Sequence, residues 1–175
     1  LEFQVVAPTL GIAHPSGYPL YTLAGKLFTL LVPFRDPAGA LNLFSALCAA
    51  LAAGVLFLVA RRLAGSTAAA LTAVTVFAIS PTWWSQATIA EVYALHGLLV
   101  ALFFYFLLRW EEDRLVRRSD RFLRLAALVC GFGMAHHRMI ALLLPAALVF
   151  IFWADPALLR TPRRWSLDAV SPFER

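Results

Sequence analysis

Five stretches of this chain are almost free of charge: residues 38–60, 64–80, 92–108, 122–135 and 139–153. Arginine clusters, prolines or a tryptophan pair bound them. Runs of this kind leave few options. A soluble domain of 175 residues needs a polar surface, yet 61% of the residues are hydrophobic and 14% are charged, too few to cover one. Apolar runs closed by polar punctuation read instead as helices crossing a bilayer.

The 38–60 run is long enough to cross about 30 Å of hydrocarbon at about 1.5 Å per residue, and Arg61-Arg62 closes it. The second run stops at Pro81 beside Trp83 and Trp84, side chains that favour the membrane–water interface. The fourth and fifth runs are short for spans. They read as two packed helices or as a re-entrant hairpin. Ahead of them all, His14-Pro15-Ser16-Gly17-Tyr18-Pro19 is turn-rich, because two prolines and a glycine forbid a continuous helix. Residues 20–32, with Lys26 embedded, are too short to span and predict a helix lying at the interface. The expected fold is therefore all-α: a polytopic membrane helix bundle of about five transmembrane helices plus an interfacial helix. A membrane-embedded core would cover 1–155 and a cytoplasmic juxtamembrane segment 156–175. The chain begins at Leu1 rather than Met and reads as an internal piece of a larger protein.

With five spans, twelve of the fifteen basic residues fall on one side, and Lys26, Arg35 and Arg138 on the other. Short loops rich in arginine stay cytoplasmic. The loops around 1–36, 81–91 and 135–138 then face outward. Glu2, His14, Glu91, His136, His137 and Arg138 all lie at that outer side, although none of the acids or histidines entered the count. The net charge of +5 thus reports topology rather than nucleic-acid binding.

Each polar candidate has a bland alternative. Glu2 suits a general base or a metal ligand, or is a solvated loop acid. Glu91 is the only acid between Asp36 and Glu111. It is a costly charge kept for function, or a carboxylate favoured by a helix N-terminus. His96 lies about 140° around a helix from Glu91, so it reads as a polar packing contact. The cationic cluster His136-His137-Arg138 suits a phosphate or pyrophosphate, or is a polar turn whose arginine snorkels. Cys48 and Cys130 sit in apolar runs and read as small core residues. Gly131 and Gly133 suggest close helix packing. The chain carries no glycine-rich phosphate loop, no Ser/His/Asp order, and no CxxC or HExxH.

Several blocks resemble a bacterial membrane family first catalogued as domain of unknown function 2723. They are Leu1-Glu2-Phe3-Gln4; Thr9-Leu10-Gly11-Ile12-Ala13-His14-Pro15-Ser16-Gly17-Tyr18-Pro19-Leu20-Tyr21; Asn42-Leu43-Phe44-Ser45-Ala46-Leu47; Trp84-Ser85-Gln86 with Ala90-Glu91-Val92-Tyr93-Ala94-Leu95; and His137 before an apolar run. The resemblance covers residues 1–153. That family is similar to the multispanning glycosyltransferases of the GT-C superfamily, with protein O-mannosyltransferases among its animal relatives. The resemblance implies a GT-C-like core, a bacterial inner-membrane location and an extracytoplasmic site. It implies a sugar, such as mannose, moved from a polyprenyl-phosphate donor to a protein or glycan acceptor. It places Glu2 and Glu91 in catalytic roles, and His137, Arg138 and His14 on the donor phosphate. The family's loop carries an Asp three positions before Glu2, a place that precedes Leu1, and more often Asn at His96 and His136. The resemblance fixes no cofactor. A divalent metal is compatible with the chemistry, but no complete ligand set is visible.

Two other classes remain open at this stage. A transporter or flippase for a lipid-linked or anionic substrate would use intramembrane charges and broken helices, but the polar residues gather at one face rather than at mid-depth. A non-catalytic scaffold leaves the one-sided acids and histidines without a purpose.

Overall fold

The computed structural model describes residues 2–15, 17–32, 36–117 and 119–159, so the expected cytoplasmic segment beyond 159 lies outside the described residues. Two compact units divide the chain, Leu1–Ala141 and Leu142–Arg175. Every regular element among the described residues is helical.

In the first unit, α1 covers Glu2–Thr9, α2 Pro19–Leu31, α3 Pro37–Ala64, α4 Thr67–Ala78, α5 Pro81–Thr88, α6 Val92–Arg117 and α7 Arg121–His136. A 3-10 turn, Arg138–Leu143, follows. In the second unit lie α8, Leu144–Ala154, and a short 3-10 turn, Pro156–Leu159. Two helices, Pro37–Ala64 and Val92–Val116, are long and apolar enough to cross a membrane; Thr67–Ala78 and Arg138–Ala154 are apolar but shorter. At about 1.5 Å per residue, the 12 residues of α4 reach only about 18 Å.

The helix ends follow from local chemistry. Asp36 caps α3, accepting from the backbone N–H groups of Ala38 at 3.0 Å and Gly39 at 3.2 Å, while Pro37 takes the first helical position. Gly65 ends α3 at φ 64, a left-handed conformation that glycine adopts without penalty. The stretch after Pro81, expected as loop, is helical. Ser80 caps it by accepting from Trp83 N–H at 3.4 Å, and Pro81 again starts the turn. The charged stretch after residue 108, also expected as a connection, continues α6 to Arg117. Arg, Glu and Trp tolerate a helix well, and Arg109 pairs with Glu112 one turn on at 3.8 Å.

Within the first unit α3 packs along α6, and α6 along α7, while α2 touches both α3 and α7. Apart from Leu41, the buried positions of α3 are small, Ala40, Ser45, Cys48, Ala49 and Ala52, whereas α6 buries large side chains such as Leu95, Leu99, Phe103, Leu107 and Trp110 beside Ala94 and Ala101. Leu47, Leu51, Leu71, Val76 and Leu128 point outward. On α3, small residues toward the neighbouring helices and large apolar ones outside are the arrangement expected where the surrounding solvent is hydrocarbon. Trp83 of α5 lies against Gly97 of α6, where a Cβ would stand 2.5 Å from the indole ring. Of the glycine pair in α7, Gly131 faces open space and Gly133 receives Ile140 from the following turn, so the close packing is with that turn. Both cysteines are free and buried.

Candidate functional site

The segment between α1 and α2 folds back over α1 and brings Glu2 against His14. Both carboxylate oxygens are engaged: Oε1 accepts from the His14 backbone N–H at 2.7 Å and Oε2 from the ring Nδ1–H at 2.6 Å. Those two bonds hold the Glu2 carboxyl below its ordinary range, the backbone bond contributing most. A carboxylate used this way is a weak base. It fixes the imidazole in the Nδ1–H tautomer and leaves Nε2 as the basic atom, the logic by which an acid orients a histidine in acid–base sites. The loop is pinned to the helices at two further points. Lys26 Nζ donates to the Pro8 carbonyl at 2.6 Å, and Gln4 Nε2 donates to Asn42 Oδ1 at 3.4 Å.

Tyr18 joins this pair to the rest of the site. Its backbone sits at φ 44 and ψ 53, in the left-handed region, immediately before Pro19 starts α2. Non-glycine residues are seldom held there, at a cost of about 1–3 kcal/mol, unless surrounding contacts demand it. The contacts here are aromatic. The Tyr18 ring lies 5.5 Å from Phe3, 5.2 Å from His14, 6.2 Å from His136 and 5.7 Å from His137. Phe3 also meets Tyr21 edge-on at 5.0 Å.

Beneath Tyr18 lies a histidine cluster from α6 and α7. His96 is 4.9 Å from His137 and 6.2 Å from His136, centroid to centroid. His136 is 1% exposed; its Nε2–H donates to the Val92 carbonyl at 3.0 Å, and its Nδ1 has no hydrogen-bond partner among the described residues. His137 Nδ1 accepts from Met139 N–H at 3.3 Å, which leaves its Nε2–H available to a ligand. Tyr93 stands 6.1 Å from His137 on the other side.

The expected site residues therefore sort as follows. Glu2, His14 and His137 meet in one cluster of rings. Glu91 is half-buried, one residue before the Val92 carbonyl that holds His136. Its charge reaches Tyr21, whose hydroxyl burial pushes up to about 12, with Glu91 adding a smaller rise. Arg138 is exposed and makes no hydrogen bond or ion pair among the described residues. The expectation that His96 is a packing contact describes its place, but its neighbours are the two histidines rather than Glu91. Tyr18, Tyr21 and Phe3 escaped the sequence reading, which weighed acids and cations. Their signal was an unusual density of aromatic rings around the prolines of one short loop. Among the described residues no group of three or more His, Cys, Asp or Glu is arranged to hold a metal ion.

The far end of α6 is of a different kind. From Val92 to Glu112 the helix covers about 30 Å, roughly the thickness of a bilayer's hydrocarbon. There Arg62 pairs with Glu112 at 3.2 Å and stacks on Tyr105 at 4.9 Å. Arg121 meets Asp113 at 3.4 Å, and Trp110 Nε1–H donates to Asp120 at 3.0 Å.

No solved structure matches the chain. The mouse (Mus musculus) protein O-mannosyl-transferase TMEM260 is 36% identical over 141 residues, covering 81% of this chain and 20% of the mouse protein. The Dictyostelium discoideum protein O-mannosyl-transferase tmem260 is 25% identical over 164 residues, covering 87% of this chain and 20% of that protein. The chain thus spans about a fifth of the length of these curated relatives. The model of the protein O-mannosyl-transferase TMEM260 N-terminal domain matches residues 1–159, the stretch that carries both the Glu2–His14 loop and the histidine cluster, and the chain belongs to that family.

Proposed function

We propose that this chain is the catalytic N-terminal part of a membrane glycosyltransferase, which moves a mannosyl group from a polyprenyl-phosphate donor to a hydroxyl of a protein acceptor. The relatives' names supply the sugar and the acceptor. The donor and the orientation are our reading. It takes α3, α4 with α5, α6 and α7 as crossings of a GT-C-like bundle, and α8 by itself as a fifth crossing of the bilayer. The arginine-bearing end faces the cytoplasm, and the Glu2–His14 end faces away from it.

One observation carries the mechanism: Glu2 spends both oxygens on His14, and the imidazole so oriented shares a ring cluster with His137. His14 Nε2 takes the proton of the acceptor hydroxyl as its oxygen attacks the anomeric carbon. The bond from that carbon to the phosphate oxygen breaks, and the polyprenyl phosphate leaves with the electron pair. His137 Nε2–H and the Arg138 guanidinium stabilise the charge on the departing phosphate. Glu2 is thereby the residue that orients the base, and Glu91 supplies negative charge at the cluster's edge, where a positive charge develops on the sugar ring.

The test is transfer from a mannosyl-phosphoryl polyprenol to an acceptor peptide by the full-length protein. His14→Ala should lower turnover on the order of 10²-fold or more, with the protein still folded by size-exclusion and circular dichroism. Wild-type turnover in His14→Ala removes it as the base. Transfer from a nucleotide sugar, with none from the lipid donor, overturns the donor assignment.

A further inference from the structure

A cavity lies at the opposite end of the long helices, between the last turns of α3 and the charged half of α6. It has a volume of about 310 Å³ and is lined by Leu58, Arg61, Arg62, Tyr105 and Glu112. That is the lower end of the size range of small-molecule sites, enough for a headgroup but not for a whole lipid. Its wall changes character along its depth. Leu58 and the Tyr105 ring form the side nearer the apolar bodies of the helices, and the guanidiniums and Glu112 the side beyond them.

The charges in it have unequal duties. Arg62 is committed to the protein: it pairs with Glu112 at 3.2 Å, stacks on Tyr105, and donates to the Leu58 carbonyl one turn back at 3.3 Å. Glu112 is shared between Arg62 and Arg109, the second at 3.8 Å. Arg61 is exposed, and its guanidinium has no hydrogen bond or ion pair among the described residues. Two guanidiniums already share the Glu112 carboxylate, so the charge of Arg61 is not neutralised by it, and Arg61 faces the cavity with its donors free.

We infer that this cleft binds the phosphate of a membrane phospholipid headgroup, gripped by Arg61, with the glycerol end of the lipid against Leu58 and Tyr105. A planar guanidinium matches two phosphate oxygens at once. The apolar-to-charged gradient of the wall matches the order of groups along a phospholipid. A free phosphate shares the anionic chemistry but has no use for the apolar wall.

Native mass spectrometry of the delipidated full-length protein tests this with palmitoyl-oleoyl phosphatidylglycerol, dioleoylglycerol and inorganic phosphate as separate probes. Phosphatidylglycerol should be retained, dioleoylglycerol should not, and inorganic phosphate at equal concentration should not displace the lipid. Arg61→Gln should weaken retention about tenfold, and Arg61→Lys, which keeps the charge that sets topology, should keep only part of the binding. Equal retention in wild type and Arg61→Gln overturns the site. Retention of dioleoylglycerol as strong as that of phosphatidylglycerol removes the phosphate from the recognition. Displacement by inorganic phosphate reassigns the cleft to a soluble phosphoester and overturns the lipid.

Discussion

At the Arg62 end of α6, Glu112 meets guanidiniums at 3.2 and 3.8 Å, Asp113 meets Arg121, and three more arginine–ring contacts involve Trp110 and Phe122. At the Val92 end, His136 is buried with a ring nitrogen that nothing in the described chain satisfies, His137 keeps a free N–H, and Tyr18 is held in a strained backbone conformation. One end pairs its carboxylates with guanidiniums, though Arg109 Nε and Arg114 Nε stay buried without a hydrogen bond among the described residues. The other keeps polar atoms uncommitted at the centre of a rigid aromatic cluster. An unsatisfied buried polar atom costs about 1–3 kcal/mol, and at this end two of them, His96 Nδ1 and His136 Nδ1, belong to neighbouring rings of one cluster. The contrast teaches where to look for chemistry: not where charge is densest, but where polar groups are positioned and unpaired.

The sharpest way to break that contrast is Tyr18→Ala. If the Tyr18 ring holds Phe3, His14 and both histidines in place, its loss should cost about 3–5 kcal/mol, as for other buried aromatic residues. It should also free the 10–18 loop to exchange its amide hydrogens. A thermal or denaturant midpoint close to wild type would mean that the cluster is held together by other contacts.

Next in size is the Glu2–His14 pair. Glu2→Gln should lower transfer on the order of 10²-fold, because Gln cannot accept from both His14 donors in the same way. The double variant Glu2→Gln with His14→Ala should be no worse than His14→Ala alone, since the two act as one unit. Multiplying effects would mean that Glu2 has a task of its own, as a base or toward the sugar.

The same pair predicts a pH response. The folded Glu2 carboxyl is held below its unfolded value, so the stability it contributes is present above the unfolded carboxylate range. That stability is lost as pH falls through the lowered folded value. Hydrogen exchange of the 10–18 loop should therefore be flat through neutral and mildly acidic pH and rise only at strongly acidic pH. A rise centred near neutrality would place the controlling group elsewhere.

The smallest effect is expected at the other end. Arg62→Ala breaks a half-exposed pair with Glu112 and should cost at most about 1 kcal/mol, with turnover unchanged. Loss of turnover would erase the division between the two ends.

Most of the helical plan was legible in the chain. The 38–60 and 92–108 runs became α3 and α6, the two helices long and apolar enough to cross a membrane. The interfacial helix expected at 20–32 became α2 within a residue at each end. These follow from apolar length and from prolines, which act locally. The departures also have local causes that composition concealed. Ser80 and Pro81 start a helix in what looked like a loop, and charged residues that signal an end of hydrocarbon do not signal an end of helix.

The sequence named candidate residues for the site but not their contacts. From the sequence alone, Glu2, His14, Glu91, His137 and Arg138 were expected at the same side of a helical bundle, an expectation drawn from arginine distribution and helix length without any packing detail. Only the tertiary structure decided what they do to one another. That Glu2 is consumed by His14, that Tyr18 wedges between His14 and His137, and that His96 joins the histidines rather than Glu91 depend on a loop folding back across α1 and on α2 reaching α7. Those contacts pair residues far apart in the chain. No periodicity encodes them, because they are set by how whole helices pack rather than by any residue's neighbours in sequence.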